Sequence, residues 1–535
     1  MGMYLNNMCA YLAYKEISES QYFVDKTLLI QELMSGVEES AKYICITRPR
    51  RFGKTVMANM IGAFFSNVCD SSEIFDKLKI AQEPEYRRYL NRCNVIYIDF
   101  SEVDDECSSY TSYIGNIKEI LREDLHRAYP NVFFREKGTV SEDLKRIQNE
   151  TGERFLFVLD EWDAFFHMPF FRKEDGKKYL LFLKGLLKDK SYVSLAYMTG
   201  VLPIAKYSSG SELNMFLEYT MAAEERFSEY FGFTEKEVDE LYERYAANTP
   251  NAKVTREGLR MWYDGYSTRS GERVYNPRSV AASLINNNFG NYWTSSGPYD
   301  EIFYYIKNNI AEVQEELALM VSGEAVMSNV QEYAATSMEL QTKDEIFSAM
   351  VVYGFLSYED GKVSIPNKEL MDKFADMLRR ESSLGYIYRL AKESDRMLQA
   401  TLSGDTKTME EILAYAHNTE TPLWRYNNEN ELTAVVNLVY LSARNFYDIE
   451  REDKAGIGYV DFIFYPRRKG ADCIILELKV DAAPEEAIQQ IRNRRYALRF
   501  QGKLGEERQY TGRILAVGIS YTREKKEHRC KVEIL

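Results

Sequence analysis

The chain has 535 residues, 45% of them hydrophobic and 28% charged, which is too long for one ordinary core and has the composition of a globular protein of roughly two to four domains. A net charge of −14 excludes bulk, non-specific attachment to nucleic acid, because neutralisation of phosphates by Lys and Arg dominates that affinity. The average hides an asymmetry: Arg451 to Leu535 carries 18 Lys plus Arg against 13 Asp plus Glu, a balance of +5 that leaves −19 for the rest, so only the tail favours a polyanion.

The opening, MGMYLNNMCAYLAY, lacks the basic region and cleavage site of a signal peptide, and no apolar run reaches bilayer length, so a cytoplasmic protein without a membrane partner is expected. Short β-branched or aromatic runs follow: YICIT (Tyr43 to Thr47), VIYIDF (Val95 to Phe100), FLFVLD (Phe155 to Asp160) and SLAYMTG (Ser194 to Gly200). Their alternation with helical patterns predicts an α/β parallel sheet. After YICIT, Val56, Met57, Met60, Ile61, Phe64 and Phe65 recur at helical spacing, giving strand, loop and amphipathic helix.

From Thr234 to Gly404 the pattern turns mainly helical and tyrosine-rich, with EKEVDELYERY as a helix and WYDGYSTRSGERVYNPRSV as an irregular polar insert. A helix near Asp344 to Val352 leads into FLSYEDGKVSI, where Asp360-Gly361 signals a two-residue hairpin and hence a winged-helix-like unit. Beyond Ser403 to Thr406, helices are expected around Met409 to Ala416 and Glu429 to Arg444, then strands YVDFIFY and CIILELKV, a helix Pro484 to Leu498 and a strand RILAVGIS. The expected division is 1–233, an α/β sheet domain; 234–404, a helical lid or connector; and 405–535, a second α/β domain.

The loop after YICIT reads Arg48-Pro49-Arg50-Arg51-Phe52-Gly53-Lys54-Thr55 and ends in the G-K-T of a phosphate-binding loop. Gly53 permits close backbone approach, helix N-terminal amides face phosphate, Lys54 reaches the β- and γ-phosphates, and Thr55 offers a hydroxyl to Mg²⁺. The first Gly of the full pattern is replaced by Arg48. FLFVLDEWD supplies a second motif, with Asp160 at the metal, directly or through water, and Glu161 polarising the attacking water. Thr199, at a strand end, is placed to sense the γ-phosphate. Arg51, Phe52, Gly53, Lys54, Thr55, Asp160 and Thr199 therefore form the expected ATP-binding set, with Thr55 and Asp160 holding Mg²⁺. Whether Arg48, Arg50 and Arg51 pair with phosphate or form a solvated basic turn is open, and no arginine finger is assignable, so self-association stays open too.

YFVDKT (Tyr22 to Thr27), RPRRFGKT, VLDEWD, MTG, FGFTEKEV (Phe231 to Val238), YDGY (Tyr263 to Tyr266) and VYNPRSV (Val274 to Val280) occur in that order. The set resembles the bacterial AAA-ATPase-like proteins that carry a C-terminal PD-(D/E)XK nuclease domain, over nearly the whole chain. The resemblance implies a P-loop NTPase sheet, a connector and a restriction-endonuclease-like α/β domain, and makes the missing first Gly a family variant.

In the tail, Asp461 lies within the apolar run Gly458 to Tyr465, and Glu477 and Lys479 within Ile474 to Val480. A carboxylate in a strand core is costly unless paired or bound to metal. Strand alternation puts Glu477 and Lys479 on one face, and a neighbouring strand can bring Asp461 beside them. Asp461 and Glu477 would bind Mg²⁺ or Mn²⁺ while Lys479 stabilises charge on a scissile phosphate, as phosphodiester hydrolysis requires. The seven cysteines are scattered without C-x-x-C spacing and only four histidines are present, so carboxylates must hold any metal. The pattern matches the superfamily's D-(x)n-E-x-K. By the same resemblance, PEEAIQQI maps Gln490 onto the family's site-lining Gln, and Glu429, preferred over Glu431, supplies the extra acidic ligand found in some members. Arg492, Arg494 and Arg495 are equally consistent with phosphate contacts and with an exposed helix face. The expected function is ATP hydrolysis coupled to cleavage of nucleic acid, DNA before RNA; the alternative is an ATP-dependent switch whose nuclease-like domain only binds nucleic acid or a partner.

Overall fold

The four apolar runs of the N-terminal third form strands β1 (Tyr43–Thr47), β2 (Asn94–Asp99), β3 (Phe155–Asp160) and β4 (Val193–Gly200). The computed structural model describes residues 2–38, 41–204, 207, 212–221, 225–293, 310–321, 323–330, 340, 342–380, 382, 386–417, 429–455, 458–468, 470–500 and 510–535. They fold as two compact units, one taking Met1–Pro298 with Ser328–Glu369 and the other Tyr299–Met327 with Leu370–Leu535. The segment 234–404 is thus divided between them. Among the described residues no helix is long and apolar enough to cross a membrane.

In the first unit the strand order is β2-β3-β4-β1-β5, where β5 is Leu217–Tyr219, and every pairing is parallel. Strands β1, β3 and β4 are buried along their whole length, as expected for a parallel sheet covered on both faces. The helix Lys54–Phe65 lies on one face through Met57, Ile61 and Phe64. The other face is covered by Ile114, Ile117 and Leu121 together with Leu180, Leu183 and Leu187.

Arg48 belongs to neither of the two roles its neighbours suggested. Its side chain is 2% exposed, and its guanidinium donates to the carbonyls of Thr47 at 2.8 Å and Tyr219 at 2.9 Å while lying 5.1 Å from the Phe231 ring centroid. A cation here fastens the end of β1 to β5. The short strand β5 escapes sequence reading because it has only three residues and no buried alternation.

The insert at Trp262 to Val280 is ordered, against the expectation of irregular structure. It closes the helix Arg256–Tyr263, forms strands Tyr266–Ser267 and Arg273–Tyr275, and opens the helix Pro277–Asn286. The reason is its tyrosines, whose rings are buried while their hydroxyls find partners: Tyr275 donates to Glu235 and accepts from Arg256 at 3.0 Å. The helix Lys343–Tyr353 and the hairpin Ser357–Glu359 with Lys362–Ser364 follow, turning at Asp360 and Gly361 with positive φ at both.

The second unit carries a mixed sheet of β6 (Tyr447–Ala455), β7 (Gly458–Pro466), β8 (Cys473–Val480), β9 (Ile514–Thr522) and β10 (Glu527–Ile534), paired in that order. Only β8 and β9 run parallel. The two strands that the sequence hides, β6 and β10, are the edges, and their charge-rich texts YDIEREDKA and EHRCKVEI suit exposed edges. The helix Pro484–Asn493 approaches closely at Gly518 of β9: a Cβ there would stand 2.4 Å from the Pro484 carbonyl oxygen.

Replacing Arg48 by Met keeps volume but leaves buried carbonyls short of donors. The Arg48→Met variant should be destabilised by about 2 kcal/mol, seen as a lower urea midpoint for the first unit; an unchanged midpoint would show that the guanidinium is not what fastens β1 to β5.

Candidate functional site

Gly53 ends the phosphate loop with φ +90° and caps the helix Lys54–Phe65, a left-handed conformation that a side chain would resist. No side chain caps this helix, and first-turn helix amides are natural hydrogen-bond donors to anions. Lys54 is 4% exposed, with its Nζ 3.4 Å from the Pro49 carbonyl and 3.6 Å from Glu161 Oε1. Arg51, with φ +69°, is exposed. Phe52 is buried and packs edge to face on Tyr266 at 4.9 Å, and the Trp293 indole donates to the Arg50 carbonyl at 3.0 Å. These two contacts brace a loop that lacks the usual first glycine.

Asp160 ends β3, fully buried. Its Oδ1 accepts from Thr199 Oγ1 at 3.1 Å and from the Glu161 amide at 3.0 Å, whereas Oδ2 has no hydrogen-bond partner among the described residues. Burial, then the charges of Glu161 and Asp99, raise its pKa to about 7, with the nearby Thr55 hydroxyl and Lys54 pulling it back. Glu161 holds φ +48°, a strained conformation for a residue with a side chain. Thr199 therefore touches the metal-binding candidate. A cavity of about 970 Å³ lies against this loop, and Asp99, Glu161 and Asp163 share its lining.

In the second unit, β7 and β8 pair Phe462 with Leu476, so the next step of the register sets Asp461 opposite Glu477. Asp461 Oδ2 accepts from the Leu478 amide at 2.7 Å. Glu477 is 3% exposed; the Lys479 Nζ stands 3.5 Å from its Oε1, the Gln490 amide donates to the same oxygen, and Oε2 has no partner among the described residues. Burial and then the Asp461 charge raise the Glu477 pKa to about 7, against Lys479. Gln490 reaches it because Gly518, paired with Glu477, lets the helix in.

Arg492 is committed to Glu533 at 2.6 Å and Arg494 lies 3.5 Å from the Tyr496 hydroxyl. Glu429 opens the helix Glu429–Val439, but its side chain and that of Glu431 lie outside the described residues. Among the described residues no group of three or more potential metal-ligating side chains occurs. In each unit, though, a buried carboxylate oxygen without a partner suits a divalent cation and lies near a lysine that suits phosphate, with the Thr55 and Thr199 hydroxyls beside Asp160 and the Gln490 amide beside Glu477.

Residues 12–209 match the family model described as predicted AAA-ATPase, and residues 427–528 match the PD-(D/E)XK nuclease superfamily. The chain joins an AAA-ATPase-like domain to a PD-(D/E)XK nuclease superfamily domain. A curated relative from Azotobacter chroococcum mcd 1, an uncharacterized protein in the vnfD 5' region, is 27% identical over 285 residues, 52% of this chain and 51% of its own; the chain thus spans about half the length of that relative. Similar solved structures include the Walker-type ATPase paby2304 of Pyrococcus abyssi, with 12% identity, TM-score 0.36, and coverage of 64% of this chain and 94% of its own. The Aeropyrum pernix ORC2 protein has 11% identity, TM-score 0.31, and coverage of 65% and 92%.

Sequence reasoning passed over two features of the first unit. Asp163, fully buried, accepts from the Val201 and Leu202 amides at 3.1 and 2.8 Å and so fixes the turn after β4; its position in DEWD was the available signal. The motifs YFVDKT, FGFTEKEV and VYNPRSV send Tyr22, Phe233 and Arg278 to the lining of the phosphate-loop cavity.

A raised carboxyl pKa has a definite sign in stability. The Glu477 contribution is fully present below its ordinary value of 4.5 and is lost as pH rises through about 7. In chelator, Glu477→Gln should therefore gain on wild type between pH 5 and 8 by on the order of 2–3 kcal/mol, measured by urea denaturation. A difference independent of pH would contradict it.

Proposed function

We propose that the chain binds and hydrolyses ATP at its phosphate loop and cleaves the phosphodiester backbone of nucleic acid, DNA before RNA, at Asp461, Glu477 and Lys479. The division 1–233, 234–404 and 405–535 is part of the proposal. The observation that carries the reading is the buried, partnerless Oε2 of Glu477, on a carboxylate that shares one strand face with Lys479 and faces Asp461 across the ladder.

At the nuclease site, Asp461 and Glu477 hold Mg²⁺ or Mn²⁺, with Glu429 as the candidate third carboxylate. A cation bound there supplies charge neutralisation and an acidified water. Lys479 offsets charge on the scissile phosphate, and Gln490 fixes the orientation of the Glu477 carboxylate. At the ATPase site, Arg51, the Phe52 and Gly53 backbone, Lys54 and the helix amides hold phosphate, while Thr55 and Asp160 hold Mg²⁺. Glu161 takes the proton of the attacking water, its left-handed backbone setting the direction of its side chain. Thr199 positions Asp160 through the hydroxyl it donates.

A second reading keeps nucleotide binding as a switch and limits the nuclease-like domain to binding nucleic acid or a partner; within it, the net charge of −14 favours partner docking.

With wild type, Mn²⁺-dependent cleavage of DNA is expected, and Asp461→Ala and Glu477→Ala should each lower it by at least ~100-fold. Undiminished cleavage by Asp461→Ala rejects the site, and wild type that turns over ATP but cuts neither DNA nor RNA favours the switch. ATP turnover should in turn fall by at least ~100-fold in Lys54→Ala; survival of turnover assigns it to another site.

A further inference from the structure

Two parts of the phosphate-loop cavity lining converge on one buried carboxylate. Arg50 and Arg278 both line that cavity. The Arg50 carbonyl accepts from the Trp293 indole at 3.0 Å, and the Trp293 backbone amide donates to Glu369 Oε1 at 2.6 Å. Arg278 stands in the first turn of the helix Pro277–Asn286, where the Asn276 side chain accepts from the Ser279 amide at 3.1 Å and the Ser279 hydroxyl donates to Glu369 Oε2 at 2.8 Å. Each oxygen of Glu369 thus holds a different part of the lining.

Glu369 is 2% exposed, and Ser279 and Trp293 are buried with it. Out of water a carboxylate keeps its hydrogen bonds, because nothing replaces them, so a shift of either part is felt at Glu369. Trp293 has little freedom of its own. Its ring packs on Phe355 at 5.2 Å, and Phe355 follows Gly354, where a Cβ would stand 2.7 Å from Pro49 of the phosphate loop. These groups form one contiguous buried chain, the medium through which coupling travels.

Glu369 ends the first unit's segment Ser328–Glu369, and Leu370 begins the second unit's segment Leu370–Leu535. The crossing falls inside one helix, Lys368–Arg380, in which no Gly or Pro occurs, so a displacement of Glu369 passes along the helix and is not absorbed at a hinge. We infer that Glu369 couples the nucleotide site to the second unit. A nucleotide on the phosphate loop fixes the Arg50 and Arg278 parts of the lining and, through Trp293, Ser279 and Glu369, tightens the helix in which the chain leaves the first unit. The inference rests on the nucleotide-binding reading above and gives that site an outlet for regulation. Glu369 acts through other groups and is a positioning residue.

Hydrogen–deuterium exchange of the full chain, with and without ADP and Mg²⁺, tests the coupling. In wild type, ADP should slow exchange in the helix Lys54–Phe65 and also, by about threefold or more, at Leu370–Arg380. The double variant Ser279→Ala with Trp293→Phe removes one bond from each arm and leaves Glu369 and its helix in place. With ADP saturating, it should keep the slowing at Lys54–Phe65 and lose that at Leu370–Arg380, a split that a general loss of stability does not produce. Either single change, milder on the fold, should weaken the effect at Leu370–Arg380 in the same direction. Wild type that slows at Lys54–Phe65 alone, or variants that keep both effects, overturn the coupling and leave the nucleotide reading standing. If ADP alters exchange nowhere in wild type, the nucleotide reading fails and the coupling with it.

Discussion

A carboxylate oxygen taken out of water without a partner is costly to a fold, and among the described residues Asp143, Asp160 and Asp264 of the first unit and Glu477 of the second each hold one, the two at the candidate sites being Asp160 and Glu477. Asp160 Oδ2 and Glu477 Oε2 are buried and lack hydrogen bonds among the described residues, and burial lifts both groups to about 7. Near neutral pH each is therefore poised between a proton and a cation. Much around them follows from that constraint. In the first unit Lys54, Thr55 and Thr199 gather at Asp160; in the second, Lys479 and Gln490 gather at Glu477. The two sites share no fold but share this electrostatic logic.

The geometry that brings these groups together is inexpensive in residues. A parallel register sets β3 and β1 either side of β4, so the second motif and the phosphate loop end on the same edge of the sheet. An antiparallel register sets Asp461 against Glu477, and one glycine, Gly518, lets the helix deliver Gln490. The degenerate phosphate loop is supported from elsewhere: Arg48 leaves the loop to tie β1 to β5, while Tyr266 and Trp293 hold Phe52 and the Arg50 carbonyl. What a glycine-rich loop does by backbone freedom, this one does by packing.

These differences mark what a sequence can reveal. Strands β1 to β4, β7, β8 and β9 are legible because buried strands read as apolar runs, and Asp461, Glu477 and Lys479 stand out because charge interrupts those runs. Edge strands β6 and β10 read as polar text, and β5 is too short to show a period. The polar-looking insert around Tyr266 and Tyr275 is ordered by tertiary burial of tyrosines, which local pattern does not carry. Arg48 could not be placed from sequence because its partners, the Thr47 and Tyr219 carbonyls, exist only once the sheet has formed. Gln490 came from family resemblance alone, and YFVDKT, which sends Tyr22 to the cavity lining, appeared as a motif without a role.

Glu477 is proposed as a metal ligand held near its proton-binding threshold. Mn²⁺ titration of the nucleotide-free chain, followed by electron paramagnetic resonance across pH, tests it directly. Affinity at the nuclease site should tighten roughly tenfold from pH 6 to 8 as the carboxyl ionises, and Glu477→Gln should abolish that site. Binding that ignores pH over this range, or that survives Glu477→Gln unchanged, would contradict the account.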